Sequence, residues 1–477
     1  MPFAAPSFRI FLCALLLVGL AVSARAAELP GAFTAALKQA GIPLDHVAVV
    51  IQPVDAPLPR LSHNADAALN PASVMKLVTS WVALAQLGPA YTWTTEVWAN
   101  GLVRDGRLEG DLVIKGYGDP TLTLERIWLM QRELRARGIR EIHGDLVLDT
   151  RYFDLPPQDP GAFDGEPLAP YNAAPDALLA NFNTLSLRLA PAGERVTVTP
   201  EITLPGVTFE SRLVPDDAPC NGWKDRITPS IPDPARHYLV LEGRYARACG
   251  EKILPLNLFE PAATFDLIFR ALWAEAGGVI TGGTLPGMAP DTPPLLRFPS
   301  VPLADALTSL NKFSNNVMTR NLFLTLGAQT TRAPATLEKG QRAVRAALAG
   351  QGMDTRKLVL ENGAGLSRIE RVSANLLTRI LLAAWRHPYF SEFESALPIL
   401  AIDGTLKNRF NGSPLAGHAH LKTGTLRDAR ALAGYVFDAR GKRLAFVMLI
   451  NHANAEQAES AQRILLEWAQ ANGSAAQ

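Results

Sequence analysis

Helical periodicity disappears from this chain at about Tyr91 and returns only after Pro255, and that interruption limits the possible folds more than any other feature. Between those points short strand-like runs alternate with Gly, Pro and Asp turns, as in Gly110-Asp111-Leu112-Val113-Ile114 and Gly144-Asp145-Leu146-Val147-Leu148. Two Gly-Asp-Leu-Val copies suggest an internal repeat but are too few for a solenoid. Residues 184–189, 195–199, 207–213 and 238–245 are further strand candidates. On either side the pattern differs. Residues 46–52 (HVAVVIQ) form a β-branched run bounded by turn formers, which reads as a buried strand. Asn70 and Pro71 then open a helix as N-cap and first helical residue, with Val74, Leu77, Val78, Trp81, Val82 and Leu84 on its apolar side. After Pro255 helices are expected over 262–276, 303–326, 336–351 and 373–385. A hairpin of 431–438 and 443–451 turning at Arg440-Gly441-Lys442 follows, and then an amphipathic helix over 455–470. Strands from both chain ends should share one sheet covered by helices. The expectation is an α/β (α+β) body of residues 27–90 plus 256–477, interrupted by a β-rich insertion over 91–255 with two subdomains, the second at about 173–245.

The first residues and the cysteines point to export. A short segment carrying Arg9, an apolar run from Ile10 to Val22 and the sequence Ala24-Arg25-Ala26 read as a secretory signal over 1–26, cleaved before Ala27, since the run is too short to span ~30 Å of hydrocarbon. Cys13 leaves with it. Cys220 and Cys249 remain, and in an oxidising compartment one disulfide is the economical reading, with unpaired buried thiols as the other. No later stretch approaches the ~20 apolar residues of a membrane helix. The 46 Lys+Arg and 45 Asp+Glu leave a net charge of +1, which gives no support to a nucleic-acid partner, because phosphate neutralisation needs a basic excess on one face.

Ser73 and Lys76 lie at i and i+3, on one face of the expected helix, with Cβ atoms ~5–6 Å apart. A serine hydroxyl is a poor nucleophile until a base takes its proton, and a lysine of lowered pKa can be that base. The helix N-terminus disfavours a second cation and stabilises negative charge growing on the serine oxygen. S-x-x-K alone is common by chance. Two more elements follow in chain order: Ser314-Asn315-Asn316 as S-x-N, and Lys422-Thr423-Gly424-Thr425 as K-T-G on a strand-like run before the terminal hairpin. Taken singly, Ser314 and Asn316 could be helix caps and Lys422 a solvated strand end. Together the three form the motif set of active-serine penicillin-recognising enzymes.

On these residues the chain resembles the low-molecular-mass class C penicillin-binding proteins, the D-alanyl-D-alanine carboxypeptidase/endopeptidase family. Ser73 and Ser314 stand 241 positions apart, more than a compact β-lactamase allows, and the family carries extra domains at that point. Residues 110–122 (GDLVIKGYGDPTL), 144–153 (GDLVLDTRYF), Asn181-Phe182-Asn183, 363–368 (GAGLSR), Leu397-Pro398 and Asp403-Gly404-Thr405-Leu406 are similar to the family as well. Two departures are visible. The family often has serine where Ala364 stands, and often an acidic residue where this chain reads Met318-Thr319-Arg320.

The resemblance implies a penicillin-binding/β-lactamase-like transpeptidase domain in which Ser73 attacks the penultimate D-alanine carbonyl, Lys76 takes its proton, and Ser314 and Asn316 relay it to the leaving nitrogen. Backbone N–H groups of Ser73 and Thr425 would form the oxyanion hole, and Lys422, Thr423, Gly424 and Thr425 would hold the terminal carboxylate. Asp149, Phe153, Arg368 and Arg427 are carried over as further substrate contacts, with surface ion pairs an equal role for the two arginines. The implied partners are peptidoglycan stem peptides and β-lactam antibiotics in the periplasm, with a homodimer left open and no cofactor. Other readings are a secreted serine β-lactamase, for which no separate acidic base for fast deacylation is visible, and a non-catalytic wall-binding scaffold, against which the joint presence of all five polar groups argues. His418-x-His420 puts two imidazoles on one strand face without an identifiable third ligand, so no metal site is expected.

Overall fold

The structure is a computed structural model that describes residues 28–233, 237–410 and 412–472, so the expected signal over 1–26 lies outside the described residues. Its organising element is a five-stranded antiparallel sheet in the order Ala419–Leu426, Ala429–Phe437, Arg443–Asn451, Val47–Pro53, Leu61–His63. The two chain ends meet in it, with Val47 opposite Ile450 and Pro53 opposite Leu444. All seven residues of Val47–Pro53 are buried because both faces of the sheet are covered. Side chains alternate between the faces with the two-residue period of a strand. Val47, Val49 and Ile51 pack with Phe446, Met448 and Ile450 beneath helices Gly31–Gln39 and Glu459–Asn472. Ala48 and Val50 pack with Ala445, Val447 and Leu449 against helices Met75–Leu87, Asn316–Thr331 and Ala374–Trp385.

The β-rich stretch forms three further sheets. Thr94–Arg104 and Arg107–Gly116 make a hairpin turning at Asp105-Gly106, both with positive φ (52° and 84°), the conformation a two-residue hairpin turn requires. The two Gly-Asp-Leu-Val runs are neighbouring parallel strands in register, with Leu112 opposite Leu146 and Val113 opposite Val147. The remaining sheets pair Leu185–Ala192 with Arg195–Pro200 and Lys252–Leu256, and Tyr238–Ala246 with Thr208–Asp216 and Ile227–Asp233. Cys220 and Cys249 are joined as a disulfide beside the second of these.

The far edge of this region differs from the expected Pro255. Leu296–Pro299 pairs antiparallel with Thr94–Val97, and Val279–Ile280 and Thr284–Pro286 extend the same sheet. Helix Pro261–Glu275, expected in the catalytic body, packs Phe265, Ile268, Phe269 and Trp273 into one core with Leu112, Ile114, Ile127 and Leu134. Lys252–Leu256 likewise carries the smaller sheets past residue 245. The pairing returns to the main sheet's helices only with Leu303–Lys312.

Candidate active site

The helix carrying Ser73 begins one turn later than its sequence suggests. Residues Ala72–Val74 form a 3-10 turn that runs into Met75–Leu87, and Pro71 lies outside the first turn. Asn70 still organises the start: its Oδ1 accepts from the Ala72 N–H (2.9 Å) and its Nδ2 donates to Ser367 O (2.8 Å). Asn451, at the end of a central strand, grips the Asn70 backbone from both sides, through Oδ1 to the N–H (2.6 Å) and Nδ2 to the carbonyl (2.9 Å). The serine is thus hung from the sheet.

Lys76, the second residue of helix Met75–Leu87 and three positions after Ser73, is fully buried. Its Nζ donates to Ser73 Oγ (3.0 Å), Asn316 Oδ1 (2.6 Å) and the Ala364 carbonyl (2.5 Å). Burial, then the nearby Lys422 and more weakly Arg320, hold its pKa well below the usual lysine value, with Glu370 pulling the other way. A neutral amine has two hydrogens and one lone pair. With hydrogens directed at Asn316 and Ala364, the lone pair is left for Ser73.

The expected helix over 303–326 is two helices, Leu303–Lys312 and Asn316–Thr331. Ser314 stands between them with φ +56°, a left-handed conformation that is unfavourable by roughly 1 kcal/mol for a residue with a Cβ. The break aims Ser314 Oγ at Lys422 Nζ (2.8 Å) and makes Asn316 the first residue of the second helix, where Asn315 Oδ1 caps the Met318 N–H. Asn316 Nδ2 donates to Tyr171 O (3.0 Å), a contact with the β-rich region that the sequence did not foreshadow.

Lys422 lies on the edge strand Ala419–Leu426, fully buried, and burial brings its pKa down to about 7. Thr423 Oγ1 meets Thr405 Oγ1 at 2.9 Å. A Cβ on Gly424 would stand 2.4 Å from Pro71 O, so the K-T-G glycine lets the edge strand approach the Ser73 turn. On the open side of this strand Leu421 N–H donates to Pro398 O. Amides of one parity face the same way in a strand, so the N–H groups of Thr423 and Thr425 also point outward.

The remaining carried-over residues separate. Arg368 is exposed at the rim, stacked over Phe163 (4.2 Å to the ring centre) and 3.7 Å from Asp428. Arg427 is exposed in the turn after the edge strand. Asp149 is not offered to a ligand: its side chain is buried, with Oδ1 accepting from Arg151 Nε (3.0 Å) and Oδ2 from Arg151 Nη2 (2.9 Å) and the Ala289 N–H (2.9 Å). Phe153 is also packed inside, against Ala177, Leu324, Ala328 and Ala335. Arg320 turns inward and donates through Nη1 to Ala173 O (2.9 Å). At Ala364 the backbone carbonyl, not the side chain, meets Lys76. Among the described residues no group of three or more His, Cys, Asp or Glu is placed to hold a metal, and no helix is long and apolar enough to cross a membrane.

The sequence profile of the D-Ala-D-Ala carboxypeptidase 3 (S13) family matches residues 29–472. The chain is 30% identical over 411 residues to the D-alanyl-D-alanine carboxypeptidase of Actinomadura sp. (strain R39), covering 80% of this chain and 73% of that protein. It is 28% identical over 398 residues to the D-alanyl-D-alanine carboxypeptidase DacB of Haemophilus influenzae, covering 82% of each. Among solved structures, penicillin binding protein 4 (dacB) from Haemophilus influenzae superposes with a TM-score of 0.76 at 24% identity, covering 92% of this chain and 99% of that one. A predatory peptidoglycan endopeptidase from Bdellovibrio bacteriovorus superposes with a TM-score of 0.53 at 17% identity, covering 90% and 92%. At these identities the structural likeness is one of fold.

Proposed function

The chain belongs to the D-Ala-D-Ala carboxypeptidase 3 (S13) family of serine peptidases, and from that premise we propose that Ser73 is its nucleophile and Lys76 the base. The observation that carries this reading is the Lys76 amine, 3.0 Å from Ser73 Oγ and fixed by two other acceptors. Ser73 Oγ attacks the carbonyl of the penultimate D-alanine while its proton passes to Lys76 Nζ. The outward N–H of Thr425 and that of Ser73 receive the oxyanion, a contribution of ~3–4 kcal/mol per donor in other serine hydrolases. The proton reaches the leaving nitrogen by way of Ser314, whose hydroxyl is shared with Lys422. When that nitrogen leaves, the C–N bond is broken and an ester to Ser73 remains. Water then hydrolyses the ester. Lys422 with Thr423 and Thr425 holds the substrate's terminal carboxylate, and Arg368 and Arg427 at the rim face the rest of the stem peptide.

A leaving amine that belongs to a second stem peptide makes the same reaction an endopeptidase cut, the activity for which the Bdellovibrio protein is named. Penicillins acylate Ser73 because they present a similar carbonyl and carboxylate; the Haemophilus protein has been solved in complex with a β-lactam. The disulfide fits a periplasmic location for the mature chain. The purified protein is expected to be labelled covalently by a fluorescent penicillin and Ser73→Ala is not; equal labelling of both would remove the reading. Release of D-alanine from stem peptides reports carboxypeptidase action, and conversion of cross-linked muropeptide dimers to monomers reports endopeptidase action. Rapid turnover of the penicillin adduct would instead favour a β-lactamase.

A further inference from the structure

One buried carboxylate beside the catalytic groups has no part in the chemistry above. Glu370 is fully buried. Its Oε1 accepts from the N–H groups of Glu361 (3.0 Å), Asn362 (3.0 Å) and Gly363 (2.8 Å), and its Oε2 from that of Gly365 (2.9 Å). Four amides can converge on one carboxylate only if the backbone wraps around it, and the wrap has two results. It turns the Ala364 carbonyl to Lys76 Nζ. It also presses Gly365, at φ +82°, against the serine turn, so that a Cβ there would stand 1.9 Å from Ala72 O. Thr79, on the serine helix, ties the loop down through its Oγ1 to Gly363 O (2.7 Å).

The Ala364 carbonyl matters because of the lone pair. If it moved, one hydrogen of neutral Lys76 would lose its acceptor and could turn to Ser73 Oγ, leaving the lone pair aimed elsewhere. We propose that Glu370 is a positioning residue for acylation: as an anion it gathers the amides of residues 361–365, and so aims the carbonyl that keeps the Lys76 lone pair on Ser73. The inference rests on Ser73 and Lys76 being nucleophile and base. The charged groups facing Lys76 are Lys422 from the edge strand, Arg320 from helix Asn316–Thr331 and Glu370 from this loop, and Glu370 is the anion among them. Burial raises the pKa of Glu370 above the usual carboxylate value, while its four amide donors favour the ionised form.

The test follows acylation by a fluorescent penicillin across about pH 5 to 9 for the intact protein, Glu370→Gln and Glu370→Asp, with Ser73→Ala as control. In Glu370→Gln the side-chain NH2 meets the Gly365 N–H donor to donor, and the anion is gone. Acylation is expected to slow about 100-fold, the scale of a misplaced base. Its acid limb should move to lower pH, because Lys76 without the neighbouring anion gives up its proton more readily. Glu370→Asp keeps the charge but is too short to reach all four amides, so roughly tenfold slower acylation with the acid limb in place is expected. Unchanged rate in Glu370→Gln, or a slower rate with an unmoved acid limb, overturns the proposal and leaves Glu370 a packing role. If Glu370→Gln does not fold, Glu370→Asp decides: wild-type rate overturns the proposal and the slower rate upholds it. Failure of both to fold assigns Glu370 to the core and also overturns it. Absence of labelling in the intact protein, or labelling of Ser73→Ala, removes the premise instead.

Discussion

The proposed mechanism asks opposite things of two buried lysines. In it Lys76 has to be neutral to accept a proton, and Lys422 has to be charged to hold a carboxylate. Burial lowers both, Lys422 to about 7. As pH rises through that value the free protein loses its carboxylate-binding cation, so kcat/KM for a penicillin is expected to fall on the alkaline side, through weaker binding rather than slower acylation. Steady-state profiles from about pH 5 to 9 check this. Lys422→Met should raise KM roughly 30-fold, the equivalent of about 2 kcal/mol of lost charge-assisted bonding. It should also leave the protein as stable or more so by about 1 kcal/mol, since a buried charge is replaced by an apolar chain of similar length; a denaturant titration reads that second effect. The grouping of Ser73, Lys76, Ser314, Asn316 and Lys422 was legible in the sequence because the proposed chemistry needs those residue types in that order, and the structure brings the five together. Glu370 was not, because a lone acid in a loop carries no pattern until the amides around it are seen. Asp149 and Phe153 came from resemblance alone, and their own surroundings engage them in an ion pair and a core.

At the level of elements, periodicity carried across a break it could not register. Leu303, Leu307 and Leu310 before the break and Met318, Leu322 and Leu326 after it bury into the same core, so 303–326 reads as one amphipathic stretch. What ends the first helix is a single left-handed residue, Ser314, and what starts the second is the Asn315 cap. Asn315→Ala is expected to destabilise the protein by about 1 kcal/mol, measured by denaturant midpoint. Penicillin acylation should slow at the same time, because the helix that frays begins at Asn316, a ligand of the Lys76 amine.

For the whole molecule, the start of the β-rich region was visible as a change of period at residue 91, but its end was not. A helical pattern over 262–276 states that a face is buried and says nothing about which core buries it; here Phe265 and Trp273 pack with the strands of the insertion. The disulfide closes a sequence separation of 29 residues in that region. Replacing both Cys220 and Cys249 by serine is expected to lower stability by about 3 kcal/mol in thermal or denaturant unfolding. The rate of Ser73 acylation should stay as it was, since the bridge lies among the outer sheets and touches none of the catalytic groups.

The pairing of Val47–Pro53 with Arg443–Asn451 also sets an order of events. During synthesis the chain presents Ser73 and Lys76 early, but the strand that anchors Asn70 and the edge that carries Lys422 belong to its last stretch. A nascent chain therefore holds the proposed nucleophile with neither its anchor nor the proposed carboxylate clamp. The proposed site can be complete only once the final hairpin has closed on the first strand, so no acylation by a penicillin is expected before that pairing forms.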